Sequence, residues 1–165
     1  IMKTDKQIKI LMVDDEVKFL TAASDRLRLK GFDVTTATSG NEALDAAEEG
    51  GFDVAVLDLQ MPGPDGSEVL KTLKKTHKFL ETIMLTGHAT VDSAVECTKL
   101  GAFKYLEKPY DFDKLVEALQ QAYQARMEKK FESNRKRMEA IQQISLGQSP
   151  LGLLREMAQL DDDRK

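Results

Sequence analysis

The sequence of 165 residues contains a single cysteine, Cys97, and no tryptophan. One cysteine excludes an internal disulfide framework and any zinc site built from several cysteines. No apolar run approaches the roughly 20 residues that a membrane-spanning helix needs, and the polar first residues lack the apolar core of a signal peptide. We therefore expect a cytoplasmic protein without a membrane partner.

The sequence also has little excess charge of either sign. Its formal net charge is −4, from 24 Lys and Arg residues against 28 Asp and Glu residues. Such a balance gives no general electrostatic attraction for nucleic acid, so a nucleic-acid partner is not expected. Hydrophobic residues make up 41% of the chain, which is enough for a core, and the length predicts one domain plus an appendage.

Short β-type runs alternate with amphipathic segments along the first 111 residues. Strands are predicted at residues 8–13, 32–36, 53–57, 82–85 and 103–106. Helices are predicted at residues 16–30, 39–50, 67–77 and 90–100, and a last helix is expected to begin at Asp111. This alternation is typical of parallel βαβ units, so the sequence predicts a small doubly wound α/β domain with five parallel strands.

The last predicted helix continues well beyond the domain. One side of this helix carries an apolar stripe whose members are spaced by three or four residues, with polar residues at Asn134 and Ser145. The full stripe consists of Val116, Leu119, Tyr123, Met127, Phe131, Asn134, Met138, Ile141 and Ser145. This spacing is typical of a coiled-coil seam with one additional four-residue step. A helix over residues 113–145 is roughly 50 Å long, so its outer part has no domain to pack on and we expect it to bind a partner.

Two helix breakers follow this seam. Gly147 and Pro150 are expected to end the long helix, and residues 151–160 are predicted to form a short amphipathic helix. We therefore divide the chain into a domain at residues 1–125, a coiled-coil-like extension at residues 126–146 and a short tail at residues 147–165.

Polar residues follow four of the predicted strands: Asp14 and Asp15 after the first, Asp58 after the third, Thr86 after the fourth and Lys108 after the fifth. In a doubly wound fold these positions meet at the carboxyl edge of the sheet, where ligands bind. Neighbouring carboxylates repel one another unless a cation is present, and hard oxygen ligands suit Mg²⁺. A lysine and a hydroxyl beside them suit an anion such as a phosphoryl group.

Four segments resemble the receiver domain of two-component response regulators: VDDE at residues 13–16, DLQMPGPDG at 58–66, LTGHA at 85–89 and GAFKYLEKPYD at 101–111. The resemblance extends over about residues 7–125 and is nearest to receivers of nitrogen-regulation-type activators. It implies a chemotaxis-regulator-like, flavodoxin-like fold whose last helix is extended here. It also implies transfer of a phosphoryl group from the phosphohistidine of a sensor histidine kinase to an aspartate.

The resemblance assigns roles to the residues around the carboxylates. It implies that Asp58 is the phosphoacceptor. It also implies that Asp15, Asp58 and the backbone carbonyl of Gln60 hold Mg²⁺, while Asp14 acts largely through bound water. Gln60 and His88 would border the water that attacks the acyl phosphate, so they would tune its lifetime.

The remaining implied roles concern the phosphoryl group and the response to it. Thr86 would donate a hydrogen bond to the phosphoryl oxygen, and Lys108 would pair with it as a point charge. Pro109 would follow a cis peptide bond that directs Lys108 inward. Tyr105 would be the switch aromatic, turning inward as Thr86 moves toward the phosphate.

Three hypotheses for the output remain open. The first is a stand-alone receiver that associates through its C-terminal helix, with a homodimer expected and a downstream protein partner of unknown identity. The second is the receiver and linker of a larger transcriptional regulator, since the sequence shows neither an ATPase domain nor a complete DNA-binding domain. The third is a DNA-binding protein that uses residues 138–160 as a minimal helix-turn-helix. In all three hypotheses, the domain is primarily a signalling switch whose catalytic activity is limited to its own Mg²⁺-dependent phosphorylation and dephosphorylation.

Overall fold

The computed structural model describes residues 7–87, 90–144, 146–147 and 150–162. Its strands are β1 at Lys9–Val13, β2 at Asp33–Ala37, β3 at Val54–Asp58, β4 at Glu81–Thr86 and β5 at Lys104–Glu107. They form one parallel sheet in the order β2-β1-β3-β4-β5. The predicted doubly wound sheet is confirmed, and each strand end lies within one residue of its predicted position.

Helices cover both faces of this sheet. They are α1 at Val17–Leu29, α2 at Gly40–Glu49, α3 at Gly66–Thr76, α4 at Val91–Lys99, α5 at Phe112–Ile144 and α6 at Pro150–Asp162. Polar side chains fix where α2 and α3 begin, because Ser39 accepts a hydrogen bond from the Glu42 N–H and Asp65 accepts one from the Glu68 N–H. Gly50, at a φ of 81°, ends α2.

The core has two halves, one on each face of the sheet. In β1, Ile10 and Met12 pack against α1 and α5, whereas Leu11 and Val13 pack against α2, α3 and α4. Since successive strand residues point to opposite faces and both faces are covered, the central strands are buried along almost all of their length, and their polar residues lie at or next to the strand ends. Cys97, on α4, is buried in the second half of the core.

The helix α5 is continuous over 33 residues, which makes it about 50 Å long. Residues of its first third fill the core between the sheet and α1, and the helix leaves the sheet only beyond Lys129, which still pairs with Glu81 of β4. Phe131, Met138 and Ile141 in the predicted seam are then 71%, 65% and 42% exposed. The long helix is confirmed, and these three seam residues present apolar surface to solvent.

The predicted short helix at the end of the chain is confirmed as α6. It folds back against the outer part of α5. Ala140 is 5% exposed although α5 has left the sheet there, so α6 covers the side of α5 that carries Ala140. Among the described residues, no helix is both long enough and apolar enough to span a membrane.

Two ion pairs attach α5 to the amino edge of the sheet just after residue 125. Arg126 Nε lies 3.1 Å from Asp53 Oδ1, while Asp53 Oδ2 accepts a hydrogen bond of 2.9 Å from the Lys9 N–H. One turn later, Lys129 pairs with Glu81. Both carboxylates are almost completely buried, so they need these cations to offset their lost hydration.

We expect Arg126→Met to destabilise the protein, because it leaves the buried carboxylate of Asp53 with only a backbone partner. The free energy of unfolding should fall by about 2 kcal/mol, below the usual range for a buried pair because the bond from Lys9 remains. Urea denaturation followed by circular dichroism measures this change. The matched control is Lys114→Met on the exposed side of α5, which should stay within about 0.5 kcal/mol of wild type. Equal stability of the two variants would contradict the structural role of Arg126.

Candidate functional site

Three carboxylates meet at the carboxyl edge of β1 and β3. Val13 at the end of β1 pairs with Leu57 of β3, so Asp14 and Asp58 come next on adjacent strands. Carboxylate oxygens of Asp14, Asp15 and Asp58 all lie within 4.8 Å of one another. Asp14 and Asp58 are buried, whereas Asp15 is exposed. The predicted acidic cluster is therefore formed, with one side open to solvent.

Lys108 is directed into this cluster from the end of β5. Its Nζ lies 2.5 Å from Asp14 Oδ2 and 3.7 Å from Asp58 Oδ2. The Lys108 N–H donates to the Thr86 carbonyl at 2.7 Å, and the Lys108–Pro109 peptide bond is cis, as the resemblance implied. The ring of Phe19 lies 4.1 Å from Nζ, so the ammonium group also has a cation–π contact.

The charges of the site are not balanced by the protein itself. Burial raises the pKa of Asp58 to about 6, the positive charge of Lys108 opposes this rise, and the charges of Asp14 and Asp15 add to it. One ammonium group thus faces three carboxylates. A divalent cation with hard oxygen ligands fits this donor set, and the Asp14, Asp15 and Asp58 carboxylates are the groups that could hold it.

The loop after β3 places Asp58 through a close backbone contact. Gly66, the first residue of α3, donates its N–H to the Leu59 carbonyl at 3.0 Å. A Cβ at Gly66 would lie 2.3 Å from the Asp58 carbonyl oxygen and 2.8 Å from Leu59 Cα. Only glycine fits this position. Gln60, which is exposed, donates its N–H to Asp58 Oδ1 at 3.2 Å.

The two predicted switch residues lie on the neighbouring strands β4 and β5. Asp58 pairs with Leu85 across β3 and β4, so buried Thr86 follows one position beyond it. Tyr105 of β5 pairs with Met84, is half-buried, and its hydroxyl lies 2.8 Å from Ser93 Oγ of α4. His88 lies outside the described residues.

Two contacts around the site were not predicted from the sequence. Phe19 lies on α1, and its position beneath Lys108 depends on how α1 packs. Ser93 was not singled out, because nothing in its local sequence indicates a contact with Tyr105. A serine three residues after Thr90 could have indicated a cap for α4, but it could not have indicated the tyrosine.

The comparisons with known proteins agree with this geometry. The profile of the response regulator receiver domain family matches residues 10–120. The transcriptional regulatory protein ZraR of Klebsiella oxytoca is 39% identical over 117 residues, covering 71% of this chain and 26% of that protein. The DNA-binding transcriptional regulator NtrC of Klebsiella pneumoniae is 40% identical over 111 residues, covering 67% and 24%. The resemblance to nitrogen-regulation-type activators is thereby confirmed.

A solved structure extends the comparison to the fold. The response regulator protein TrrA of Thermotoga maritima, solved in complex with Mg²⁺-BeF, superposes with a TM-score of 0.64 at 32% identity, covering 69% of this chain and 97% of that one. By contrast, the chain spans only about a quarter of the length of these ZraR and NtrC proteins.

Gly66→Ala should destabilise the protein, because the added methyl group overlaps the backbone that carries Asp58. We expect a loss of about 2 kcal/mol in the free energy of unfolding, measured by urea denaturation. Gly152→Ala in α6 is the matched control: its Cβ meets nothing within 4 Å, so stability should stay unchanged or rise slightly. If Gly66→Ala unfolded like wild type, the close contact with Asp58 would not be a constraint on the loop.

Proposed function

The chain belongs to the response regulator receiver domain family, and on that premise we propose that Asp58 accepts a phosphoryl group from the phosphohistidine of a sensor histidine kinase. The observation that carries the proposal is the combination of a buried carboxylate with a lysine ammonium 3.7 Å away, beside two further carboxylates. A nucleophile, a cationic group for the phosphoryl oxygens and a donor set for a metal are thus present within one small edge of the sheet.

In the proposed transfer, an ionised Asp58 oxygen attacks phosphorus on the side opposite the imidazole. The new P–O bond forms as the N–P bond breaks, and the imidazole leaves with the electron pair of that bond. The Lys108 ammonium pairs with the phosphoryl oxygens, and the Thr86 hydroxyl donates a hydrogen bond to one of them. Catalysis then consists mainly of positioning and charge neutralisation.

Mg²⁺ is the proposed cofactor. Asp15, Asp58 and the backbone carbonyl of Gln60 would hold it, and Asp14, whose carboxylate contacts Lys108, would act largely through bound water. Once bound, the ion would supply positive charge between the carboxylates and the phosphoryl oxygens. The raised pKa of Asp58 supports this assignment, since it means that the ionised form is disfavoured without a further cation. A nearby cation would lower this pKa and favour the ionised nucleophile.

The same site would catalyse loss of the phosphoryl group to water. Gln60 is exposed beside Asp58, which supports its proposed place next to the attacking water. Its amide is a weak acid and base, so we expect hydrolysis without strong chemical assistance. His88, proposed for the same role, lies outside the described residues. Substitution of Gln60 would then change the lifetime of the acyl phosphate and not its formation.

We further propose that phosphorylation is read out through association of the C-terminal extension, residues 126–146. The apolar side chains of Phe131, Met138 and Ile141 are exposed while α6 covers the side of α5 near Ala140. A second copy of the chain could pack on this seam as a coiled coil. The receiver proper would then be residues 1–125, and residues 147–165 would be a tail that supports the extension.

A second candidate function follows from the length of the relatives. Since the chain spans about a quarter of proteins that are named as transcriptional regulators, we also propose that it serves as the receiver and linker of a larger regulator. In that case α5 would transmit the state of Asp58 to an effector domain. Both proposals use the same phosphoacceptor and the same helix, and they differ in what the helix is attached to.

With a small acyl phosphate as phosphodonor and Mg²⁺ present, we expect the protein to gain the mass of one phosphoryl group. Intact-mass spectrometry measures the gain, and chelation of Mg²⁺ should suppress it. Asp58→Asn should remain unmodified because it lacks the nucleophile, whereas Asp45→Asn, an exposed aspartate on α2, should react like wild type. Modification of Asp58→Asn to the same extent would refute the proposed phosphoacceptor.

Light scattering on a sizing column tests the association. We expect wild type to form a dimer, either always or only with Mg²⁺ and beryllofluoride, which stands in for the phosphoryl group on aspartate. Met138→Glu should yield a monomer because it places a charge in the seam, and Gln143→Glu, on the opposite side of α5, should leave the mass unchanged. A monomeric wild type in every condition would disprove self-association.

A further inference from the structure

The first turn of α4 is organised around one hydroxyl group, that of Ser93. Thr90 is the N-cap residue, and its Oγ1 accepts a hydrogen bond of 3.0 Å from the Ser93 N–H. In return, Ser93 Oγ accepts one of 3.1 Å from the Thr90 N–H and lies 3.0 Å from Thr90 Oγ1. This reciprocal arrangement is a capping box, with serine at the position that usually carries glutamate or glutamine.

The same hydroxyl also contacts the sheet. Ser93 Oγ lies 2.8 Å from the hydroxyl of Tyr105 on β5. Tyr105 is half-buried, and its ring packs against the half of the core that contains Cys97. Because the contacts of the ring with the core are apolar, the hydrogen bond of the phenol hydroxyl is the contact that favours one orientation of the side chain over another. Ser93 is the partner that fixes this end.

Among the described residues, few buried side chains hold the start of α4. Of its nine residues, all of them described, Cys97 alone is buried. Val91 and Val95, in the first half of the helix, are 80% and 46% exposed. Elements with few buried apolar contacts open at low free-energy cost. The capping box and the bond to Tyr105 therefore make up a large share of what positions this turn.

We propose that Ser93 is a positioning residue that sets the orientation of Tyr105 and couples that orientation to the first turn of α4. When Tyr105 turns away, Ser93 loses a hydrogen-bond partner, and the α4 cap loses the tie that joins it to the sheet. The link to signalling rests on the proposed function, in which Tyr105 responds to phosphorylation of Asp58. The bond itself does not depend on that role.

The direct test is ¹⁹F NMR of the full chain containing 3-fluorotyrosine. The protein has 3 tyrosines, and the resonance of Tyr105 is identified by its loss in Tyr105→Phe. We expect Ser93→Ala to shift or broaden this resonance, and Ser93→Thr, which keeps a hydroxyl, to restore it. Thr90→Val removes the cap oxygen but leaves the Ser93 hydroxyl, so it should change the resonance less. An unchanged resonance in Ser93→Ala, or an equal change in Thr90→Val, would overturn the proposal.

A double-mutant cycle separates the bond from helix capping. In the presence of Mg²⁺, Ser93→Ala should change the dissociation constant for beryllofluoride about fivefold, as expected for one net hydrogen bond. In the Tyr105→Phe background the same substitution should have little effect, since the partner is already missing. Equal effects in both backgrounds would mean that Ser93 acts through the cap alone and would overturn the coupling.

The positioning role of Ser93 and the switch role of Tyr105 are contradicted by different results. If Ser93→Ala shifts the Tyr105 resonance but beryllofluoride shifts it in no variant, the positioning role of Ser93 stands and the switch role of Tyr105 is wrong. If beryllofluoride shifts the resonance in wild type and Ser93→Ala leaves it unchanged, the switch role stands and the inference about Ser93 is wrong.

Discussion

The repulsion among three carboxylates at one edge of the sheet is the constraint on which the rest of the structure depends. Parallel pairing of β1 and β3 brings Asp14 and Asp58 side by side, and burial keeps water from screening them. Lys108 offsets part of this charge and is itself held by its backbone bond to Thr86 and by the ring of Phe19. Burial raises the pKa of Asp58 to about 6, and the charges of Asp14 and Asp15 add to this rise while Lys108 opposes it. The excess of negative charge therefore favours an additional cation at this edge. That cation would in turn attract the oxygens of a phosphoryl group.

At the opposite, amino edge of the sheet, each buried carboxylate has its own cationic partner. Asp53 and Glu81 are as buried as Asp14 and Asp58, yet each has a cationic partner on α5. A buried carboxylate that is paired is tolerated, and one that lacks a partner is costly. The amino edge is thus balanced and structural, whereas the carboxyl edge is left short of positive charge. This asymmetry is the physical difference between the two ends of the domain and explains why ligand chemistry is expected at only one of them.

The sequence was sufficient to predict the strands and the acidic cluster, because both depend on local patterns. Apolar runs of the right length marked the strands, and the parallel fold then required Asp14, Asp58 and Lys108 to meet at their carboxyl ends. The contacts between Arg126 and Asp53, or between Ser93 and Tyr105, could not be predicted in this way. They depend on how a helix is rotated about its axis. Periodicity gives the apolar side of a helix but not which polar residue reaches a buried charge.

The position of α5 limits how the site can influence the exposed seam. The helix begins at Phe112, shortly after the Lys108–Pro109 bond, and Arg126 and Lys129 attach it to the opposite edge of the sheet. Moving α5 would therefore break buried ion pairs and repack its core residues, which is costly. By comparison, α4 has one buried residue, and its first turn is joined to the sheet through Tyr105. A small rearrangement at Thr86 is then more easily absorbed by α4 and β5 than by α5. We therefore expect the surface formed by α4 and β5 to respond to the state of Asp58 more readily than α5 does.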